Sequence, residues 1–300
     1  MGRPSGYPTG LAIFAVASLL VCEPTSRPAF AQGKLEAHYS ASIAGLPIGQ
    51  GTWLLDIGET QYTATASGKV SGIMRLIGNG EGSTTGQGTL HQGHCIASRF
   101  TAHVVTNNDA YSTRLTVSAG NVKEVVAEPP VETGGDRVPI TEAHRHGISD
   151  PMLAALINVA GSGDVVAPEA CHHKLAIFDG RQRFDVELSY KRIEQVNAKG
   201  YQGPVAVCAA RYQPISGHRP DRYAIKYLQE SRDIEVALAP IAGTRILVPF
   251  RISVPTMFGT GVLQATEFVT VAEARQAPAT TARDHHAELS SAPKPEPASR

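Results

Sequence analysis

Four charged side chains near the middle of the chain alternate in a pattern that could bind an anion or a protein partner. Asp179, Arg181, Arg183 and Asp185 occupy every second position of the stretch 178–190, FDGRQRFDVELSY. Alternate residues of a strand share a face, so the charged residues would line one face and the apolar residues between them would face the core. Asp-Gly is also a common turn pair, and we favour a solvent-exposed hairpin face with cross-strand ion pairs. The candidate binding face is Asp179, Arg181 and Arg183.

Neighbouring histidines are the residues best suited to hold a metal ion. His172 and His173 precede the charged row, and His144 and His146 lie in a polar segment before them. Zinc needs three or four ligands that converge from fixed spacings, which adjacent histidines and loop histidines do not supply. The sequence has no Gly-x-Ser-x-Gly motif and no phosphate-binding loop between a strand and a helix. We therefore predict no metal site, no cofactor and no catalytic residue.

The N-terminus has the pattern of a secretory signal peptide. Its apolar run, 11–22, is too short to span a bilayer well, and the small-x-small motif AFA ends at Ala31. The sequence therefore predicts a signal peptide over 1–31, a cut after Ala31 and a periplasmic protein. Lipidation at Cys22 is the weaker alternative, because the valine before it suits a lipidated cysteine poorly. No other run is long enough for a transmembrane helix.

Three cysteines remain after such a cut, namely Cys95, Cys171 and Cys208. In an oxidising compartment, three cysteines suggest one disulfide and one free thiol. Cys171 and Cys208 lie on segments that can be neighbours, since two predicted strands and a turn separate them. Cys95 remains a competing partner. There is no Cys-x-x-Cys motif, so we expect a structural disulfide between Cys171 and Cys208 rather than a redox pair.

Most of the chain between residues 32 and 272 has the pattern of short β-strands. Small, threonine and β-branched residues dominate segments such as 35–43 and 50–57, and turn residues recur about every ten positions. Further strands are predicted at 61–68, 222–228, 231–238, 244–249, 250–254 and 262–271. The sequence predicts a single, mainly β domain over 32–272 and a disordered tail, rich in alanine, proline and serine, over 273–300.

One segment has the pattern of a helix instead. Ser149 or Asp150 can cap it, Pro151 suits its first turn and Gly161 stops it. Apolar residues nearly encircle this helix, predicted over Asp150–Val159, so it should be buried. We therefore predict a curved antiparallel sheet or open β-barrel with one helix packed in or across the concave side.

Several short motifs occur together along the chain. They are a cysteine shortly before Phe-Asp-Gly-Arg at 178–181, a second cysteine before Tyr-x-Pro-Ile-x-Gly at 212–217, Tyr39 with Gly-Leu-Pro-Ile-Gly at 45–49, and Asp-Pro at 150–151. On these motifs, over roughly residues 34–271, the chain resembles the DUF3108 family of secreted or periplasmic bacterial proteins of undefined activity. The resemblance implies an open, curved β-barrel with a helix on its concave side, as in lipoprotein carriers, and it implies no catalytic residue.

The charge balance bears on the partners of the protein. Lys and Arg total 27, as do Asp and Glu, so no basic surface for nucleic acid is expected. Our favoured hypothesis is a non-enzymatic periplasmic protein that supports the cell envelope by binding a lipid, a glycan or an envelope protein. One alternative is an envelope hydrolase assembled from His172, His173, Asp179 and Arg181. The other is a structural or assembly factor without a pocket.

Overall fold

The structure, a computed structural model, describes residues 32–72, 75, 78–132 and 134–273, and most of these residues form β-strands. The strands are β1 Gln32–Ile43, β2 Leu46–Ile57, β3 Gln61–Val70, β4 Gly80–His91, β5 His94–Thr106, β6 Ala110–Ser118, β7 Asn121–Glu128, β8 Ile157–Asn158, β9 His173–Phe178, β10 Arg183–Ala198, β11 Tyr201–Ser216, β12 Ile234–Pro240, β13 Ile246–Thr256 and β14 Gly259–Glu273. The helices are α1 Pro151–Ala154 and α2 Tyr223–Glu230, with 3-10 turns at Glu142–Arg145 and Pro168–Cys171. The predicted signal peptide, 1–31, and the predicted tail beyond Glu273 lie outside the described residues.

All the strands belong to one antiparallel sheet. Its order is β7-β6-β5-β4-β3-β2-β1-β14-β13-β12-β11-β10-β9, and β8 pairs with β13. The first strand unites the two halves of the chain, because β1 pairs with β2 on one side and with β14 on the other. The sheet has two edges, β7 and β9. The predicted open, curved antiparallel sheet with a helix on its concave side is confirmed.

A short extended segment connects the two edges of the sheet. The Ile148 amide donates to the Gly120 carbonyl in the β6–β7 turn at 2.8 Å. The Ser149 amide donates to the Ala176 carbonyl of β9 at 2.8 Å, and the Phe178 amide donates back to the Ser149 carbonyl at 3.0 Å. This seam satisfies backbone groups that the edge strands would otherwise leave unpaired.

The helix at the concave side is shorter than the predicted Asp150–Val159 helix. Asp150 caps it as expected, because its Oδ1 accepts hydrogen bonds from the amides of Met152 at 2.8 Å and Leu153 at 3.0 Å. The α-helix ends at Ala154, and the chain then extends into β8, which pairs with β13. The prediction was wrong for the second half of the segment, since strand pairing there satisfies the backbone groups that a longer helix would have paired.

The segment 222–228, predicted as a strand, forms most of helix α2. Tyr223, Ile225 and Tyr227 alternate as they would in a strand, which misled the prediction. The same segment also has helical spacing, because Tyr223 and Tyr227 stack four residues apart with ring centroids 5.9 Å from each other. A short segment can satisfy both periods, and here the helical one prevails.

Candidate functional site

The concave side of the sheet holds an apolar cavity of about 660 Å³ beside α1. Its lining includes Tyr39, Ile48, Trp53, Met152, Ile252 and Leu263. These residues come from β1, β2, β13, β14 and α1, so both halves of the chain build the cavity. Pockets of about 300–1,000 Å³ with mostly apolar walls are typical of sites that bind small molecules.

A row of glycines opens the space inside this wall. Gly51 of β2 stands opposite Gly68 of β3, and Gly68 stands opposite Gly82 of β4. All three line the cavity, so three neighbouring strands present bare backbone where side chains would fill the barrel. A Cβ on Gly68 would meet no atom closer than 3.6 Å, which is ordinary contact. The sequence prediction placed Gly51 and Gly68 in strands without a further role, and it read Gly82 as the end of a turn at 78–82.

A fourth glycine positions the helix that forms the floor of the cavity. A Cβ on Gly86 of β4 would lie 2.5 Å from the Met152 Cβ, far inside van der Waals contact. Helix α1 can therefore approach the sheet closely only because this position lacks a side chain. The close approach holds Met152, together with Ala155, at the cavity wall.

Two aromatic residues of the cavity wall, Tyr39 and Trp53, carry polar atoms that are turned into the protein. The Tyr39 hydroxyl donates to the Pro249 carbonyl at 2.7 Å, and burial raises the pKa of this phenol well above its ordinary value. Trp53 is 7% exposed, and its indole Nε1 has no hydrogen-bond partner among the described residues. A buried donor without a partner is costly. The Nε1 atom is itself buried, so its missing partner is a cost to this wall and not a contact offered to a ligand.

A second apolar compartment, of about 300 Å³, lies on the other side of α1. Its walls come from β9 to β13, with Leu228 of α2. It shares Ala155, Pro249 and Ile252 with the larger cavity, so the two compartments adjoin at the end of α1. The pair suits an elongated or branched apolar ligand better than a compact one.

Asp150 is a fully buried acid beneath the floor of the larger cavity. One carboxylate oxygen caps α1, whereas Oδ2 has no partner among the described residues. Burial raises the pKa of Asp150, and the amides of Leu153 and Met152 oppose this shift by stabilising the carboxylate. Tyr62 is near enough that the Asp150 charge adds to the effect of burial in raising the Tyr62 pKa.

Arg181, from the candidate binding face, reaches the opposite edge of the sheet. Its guanidinium donates from Nη2 to the carbonyls of Ser112 at 3.2 Å, Glu128 at 3.0 Å and Pro129 at 2.9 Å. Its Nε donates to the Thr113 hydroxyl at 3.2 Å. One side chain from the β9–β10 turn therefore bonds β6 and the end of β7, and it belongs to the seam between the edges.

The other two residues of that face also have partners within the chain. Asp179 Oδ1 accepts hydrogen bonds from the amides of Arg181 at 2.7 Å and Gln182 at 2.6 Å, which forms the turn. The Arg183 guanidinium lies 2.6 Å from a carboxylate oxygen of Asp185, and the Arg183 side chain is 12% exposed. The role of Asp179, Arg181 and Arg183 as a binding face stays a prediction, and these contacts do not favour it.

The residues named for a hydrolase do not converge. His173 begins β9, whereas Asp179 and Arg181 follow the other end of that strand. Within the described ranges, no group of three or more histidine, cysteine, aspartate or glutamate side chains is arranged to hold a metal ion. The structure therefore offers no common cleft for His172, His173, Asp179 and Arg181.

Cys171 and Cys208 form a disulfide that joins the end of a 3-10 turn to the centre of β11. Both residues are completely buried, in an apolar cluster with Leu188 and Leu238. Cys95 is free, and burial raises the pKa of its thiol to about 12. A thiol with so high a pKa is a poor nucleophile at neutral pH.

Comparisons with known proteins describe a family but no activity. The family described as "Protein of unknown function (DUF3108)" matches residues 36–266. No curated protein matches the chain. The crystal structure of a beta-barrel-like protein of domain of unknown function DUF1849 from Brucella abortus is similar, with 8% sequence identity, a TM-score of 0.43, and coverage of 81% of this chain and 98% of that chain. Over the part of the chain that the structure describes, no helix is long and apolar enough to cross a membrane.

Proposed function

The chain belongs to the DUF3108 family, described as proteins of unknown function, and we propose that it is a non-enzymatic periplasmic protein that binds the acyl part of a lipid in the cavity beside α1. The observation that carries this proposal is the apolar cavity of about 660 Å³, opened by Gly51, Gly68 and Gly82. Burying an acyl chain there would remove apolar surface from water at about 25 cal/mol per Å² on both partners.

The chemistry of the wall favours a lipid over the other ligands that we considered. A glycan would need many paired polar groups, whereas the inner wall is built from side chains such as Ile48, Met152, Ile252 and Leu263. A scaffold without a ligand would be expected to fill its barrel with side chains, as small barrels do. The adjoining compartment of about 300 Å³ gives room for a second chain or a bend.

The location of the protein in the cell is part of the same proposal. A buried disulfide is typical of proteins that fold in an oxidising environment, and Cys171–Cys208 is such a bond. The predicted signal peptide, 1–31, would deliver the chain to the periplasm. A role in supporting the cell envelope follows if the bound lipid is an envelope component.

Lipid extraction followed by mass spectrometry tests the proposal on protein isolated from the periplasm with its disulfide intact. We expect one lipid class to co-purify with the wild-type protein. Gly68→Leu should reduce its amount about tenfold, because the added side chain would occupy the space that the glycine row leaves free. The matched control is Thr63→Leu, on the exposed outer face of the same strand.

Circular dichroism and thermal unfolding would establish that both variants fold. Equal lipid in Gly68→Leu and wild-type protein would contradict binding in this cavity. A wild-type protein that carries no lipid and takes up no added phospholipid or fatty acid would contradict the function itself.

A further inference from the structure

Three of the most exposed large apolar side chains of the described chain lie together at one end of the barrel. Leu46 is 56% exposed and follows the β1–β2 turn, while Met257 and Phe258, 62% and 74% exposed, form the β13–β14 turn. We call Leu46, Met257 and Phe258 the tip cluster. Turns usually carry glycine, asparagine, aspartate, serine or proline, so a Met-Phe turn calls for an explanation other than turn geometry.

The two turns abut each other. The Ala44 amide of the first turn donates to the Thr260 carbonyl of the second at 3.0 Å. A Cβ on Gly259 would lie 2.9 Å from the Ala44 Cβ, so the hairpins are in direct contact there. The tip cluster is therefore presented by two strand pairs that share a backbone hydrogen bond.

The tip cluster also borders the cavity. Ile48, two residues after Leu46, lines the cavity, as does Leu263, five residues after Phe258. On the strands that lead into the same turns, Ala41 and Ile252 line it as well. The apolar surface of the cavity thus continues along both hairpins to their exposed ends.

Both hairpins lack charged residues over long stretches of sequence. Residues 39–55 and 252–266 contain no aspartate, glutamate, lysine, arginine or histidine, in a chain with 18% charged residues. On the neighbouring strands, Lys69 and Glu81 stand opposite each other, one of each sign, and Arg75 follows β3. Surfaces that bind anionic lipids are rich in Lys and Arg, whereas this one suits an uncharged hydrocarbon layer.

We infer that the tip cluster inserts into the surface of a lipid bilayer and places the cavity opening against it. Phe258, Met257 and Leu46 would enter the region between headgroups and acyl chains, where apolar side chains on an uncharged loop lose contact with water at no cost in buried charge. The inference deepens the proposed function and rests on it for its purpose, because a bilayer is the source or destination of an acyl chain.

Co-sedimentation with vesicles of pure phosphatidylcholine tests this inference on the full mature chain. Wild-type protein should bind, and raising the salt from about 0.1 M to about 0.5 M should change binding less than about twofold, because no charge attraction is involved. The triple variant Leu46→Ser, Met257→Ser, Phe258→Ser should bind at least about tenfold more weakly.

The control is the double variant Leu54→Ser, Val271→Ser. These side chains are 51% and 53% exposed, but they lie eight residues along β2 and thirteen residues beyond Phe258 along β14, away from the turns. The control should bind vesicles as the wild type does. Equal losses in the triple and control variants would overturn the inference, as would binding that requires anionic lipid and disappears with salt.

Two further readouts separate this inference from the proposed function and from other occupants. The triple variant should still take up a soluble fatty acid in the cavity, whereas Gly68→Leu should still bind vesicles. A wild-type protein that takes up the fatty acid but does not bind vesicles would refute the inference and leave the proposed function standing. Analytical ultracentrifugation that finds a dimer, which the triple variant dissociates, would assign the tip cluster to a second copy of the chain and overturn the inference.

Discussion

Asp150 combines a structural task with an electrostatic cost. Its Oδ1 caps α1, and its complete burial raises its pKa. Below the ordinary aspartate pKa of about 3.9, the carboxyl is protonated in both the folded and the unfolded chain. As the pH rises from there through the raised folded-state pKa, the unfolded chain loses its proton first, so the free energy of unfolding falls.

Asp150→Asn should remove this dependence while preserving the cap, because asparagine caps helices about as well as aspartate. We expect the variant to be at least as stable as the wild type at neutral pH. The difference between the two free energies of unfolding should shrink as the pH falls towards about 4. Urea unfolding at several pH values measures it, with Asp150→Ala as the variant that also loses the cap. A difference that does not change with pH would contradict the raised pKa.

Individual residues also show where sequence reasoning stopped. The Asp150 cap and the strand turn at Asp179 could be predicted, since each depends on a residue and its immediate neighbours. The contacts of Arg181 could not, because they join the β9–β10 turn to backbone carbonyls more than fifty positions away. The cavity role of Gly68 could not either, since it depends on strand register. The signal available was a glycine in each of β2, β3 and β4 at an inward position.

At the scale of elements, the seam between β7 and β9 determines whether the sheet behaves as a barrel. Residues 148–149 bond to both sides, and the Arg181 side chain adds bonds to Ser112, Glu128 and Pro129. Gly180 beside it has a φ of +90° and would place a Cβ 2.3 Å from the Thr113 side chain, so the turn approaches β6 closely. Residues 148–149 and the Arg181 side chain therefore link the two edges of the sheet here.

Arg181→Met should weaken the seam. The substitution leaves several carbonyls without their charged donor, and we expect the free energy of unfolding to fall by about 2–4 kcal/mol. Arg181→Lys should recover only part of it, because an ammonium group lacks the planar fork that bonds several acceptors at once. Guanidinium unfolding and amide hydrogen exchange of β7 measure the effect.

Arg114→Met, at an exposed position of β6, is the matched control and should change stability by no more than about 0.5 kcal/mol. Equal effects of the substitutions at Arg181 and Arg114 would show that the bonds across the seam contribute little. An Arg181→Lys variant as stable as the wild type would show that charge alone is sufficient.

The period-two patterns predicted the strands well at this scale because one face of the sheet is buried. The segments predicted at 35–43, 50–57 and 61–68 lie within β1, β2 and β3. The wrong secondary-structure predictions concern short segments. In α2 the helical and strand periods coincide, and at β8 pairing with a distant strand ended the helix. In both cases the outcome depended on packing partners that lie far away in sequence.

At the scale of the whole molecule, the protein is an antiparallel sheet curved around a single-turn helix and two adjoining apolar compartments. The proposed lipid site and the tip cluster lie on the same strands, so loading from a bilayer would need no large rearrangement of the sheet. Most of the hydrophobic core is packed and buried, which makes the space beside α1 a local feature of the glycine row.

The sole tryptophan of the chain, Trp53, lines the cavity and reports directly on what occupies it. Titrating the protein with a brominated fatty acid, whose bromine quenches indole fluorescence on contact, should quench Trp53 saturably. The unbrominated fatty acid should compete without quenching. Gly68→Leu should weaken the affinity measured by this quenching about tenfold, and Thr63→Leu should leave the affinity unchanged. Absence of saturable quenching in the wild type, or identical quenching in Gly68→Leu, would contradict acyl-chain binding in this cavity.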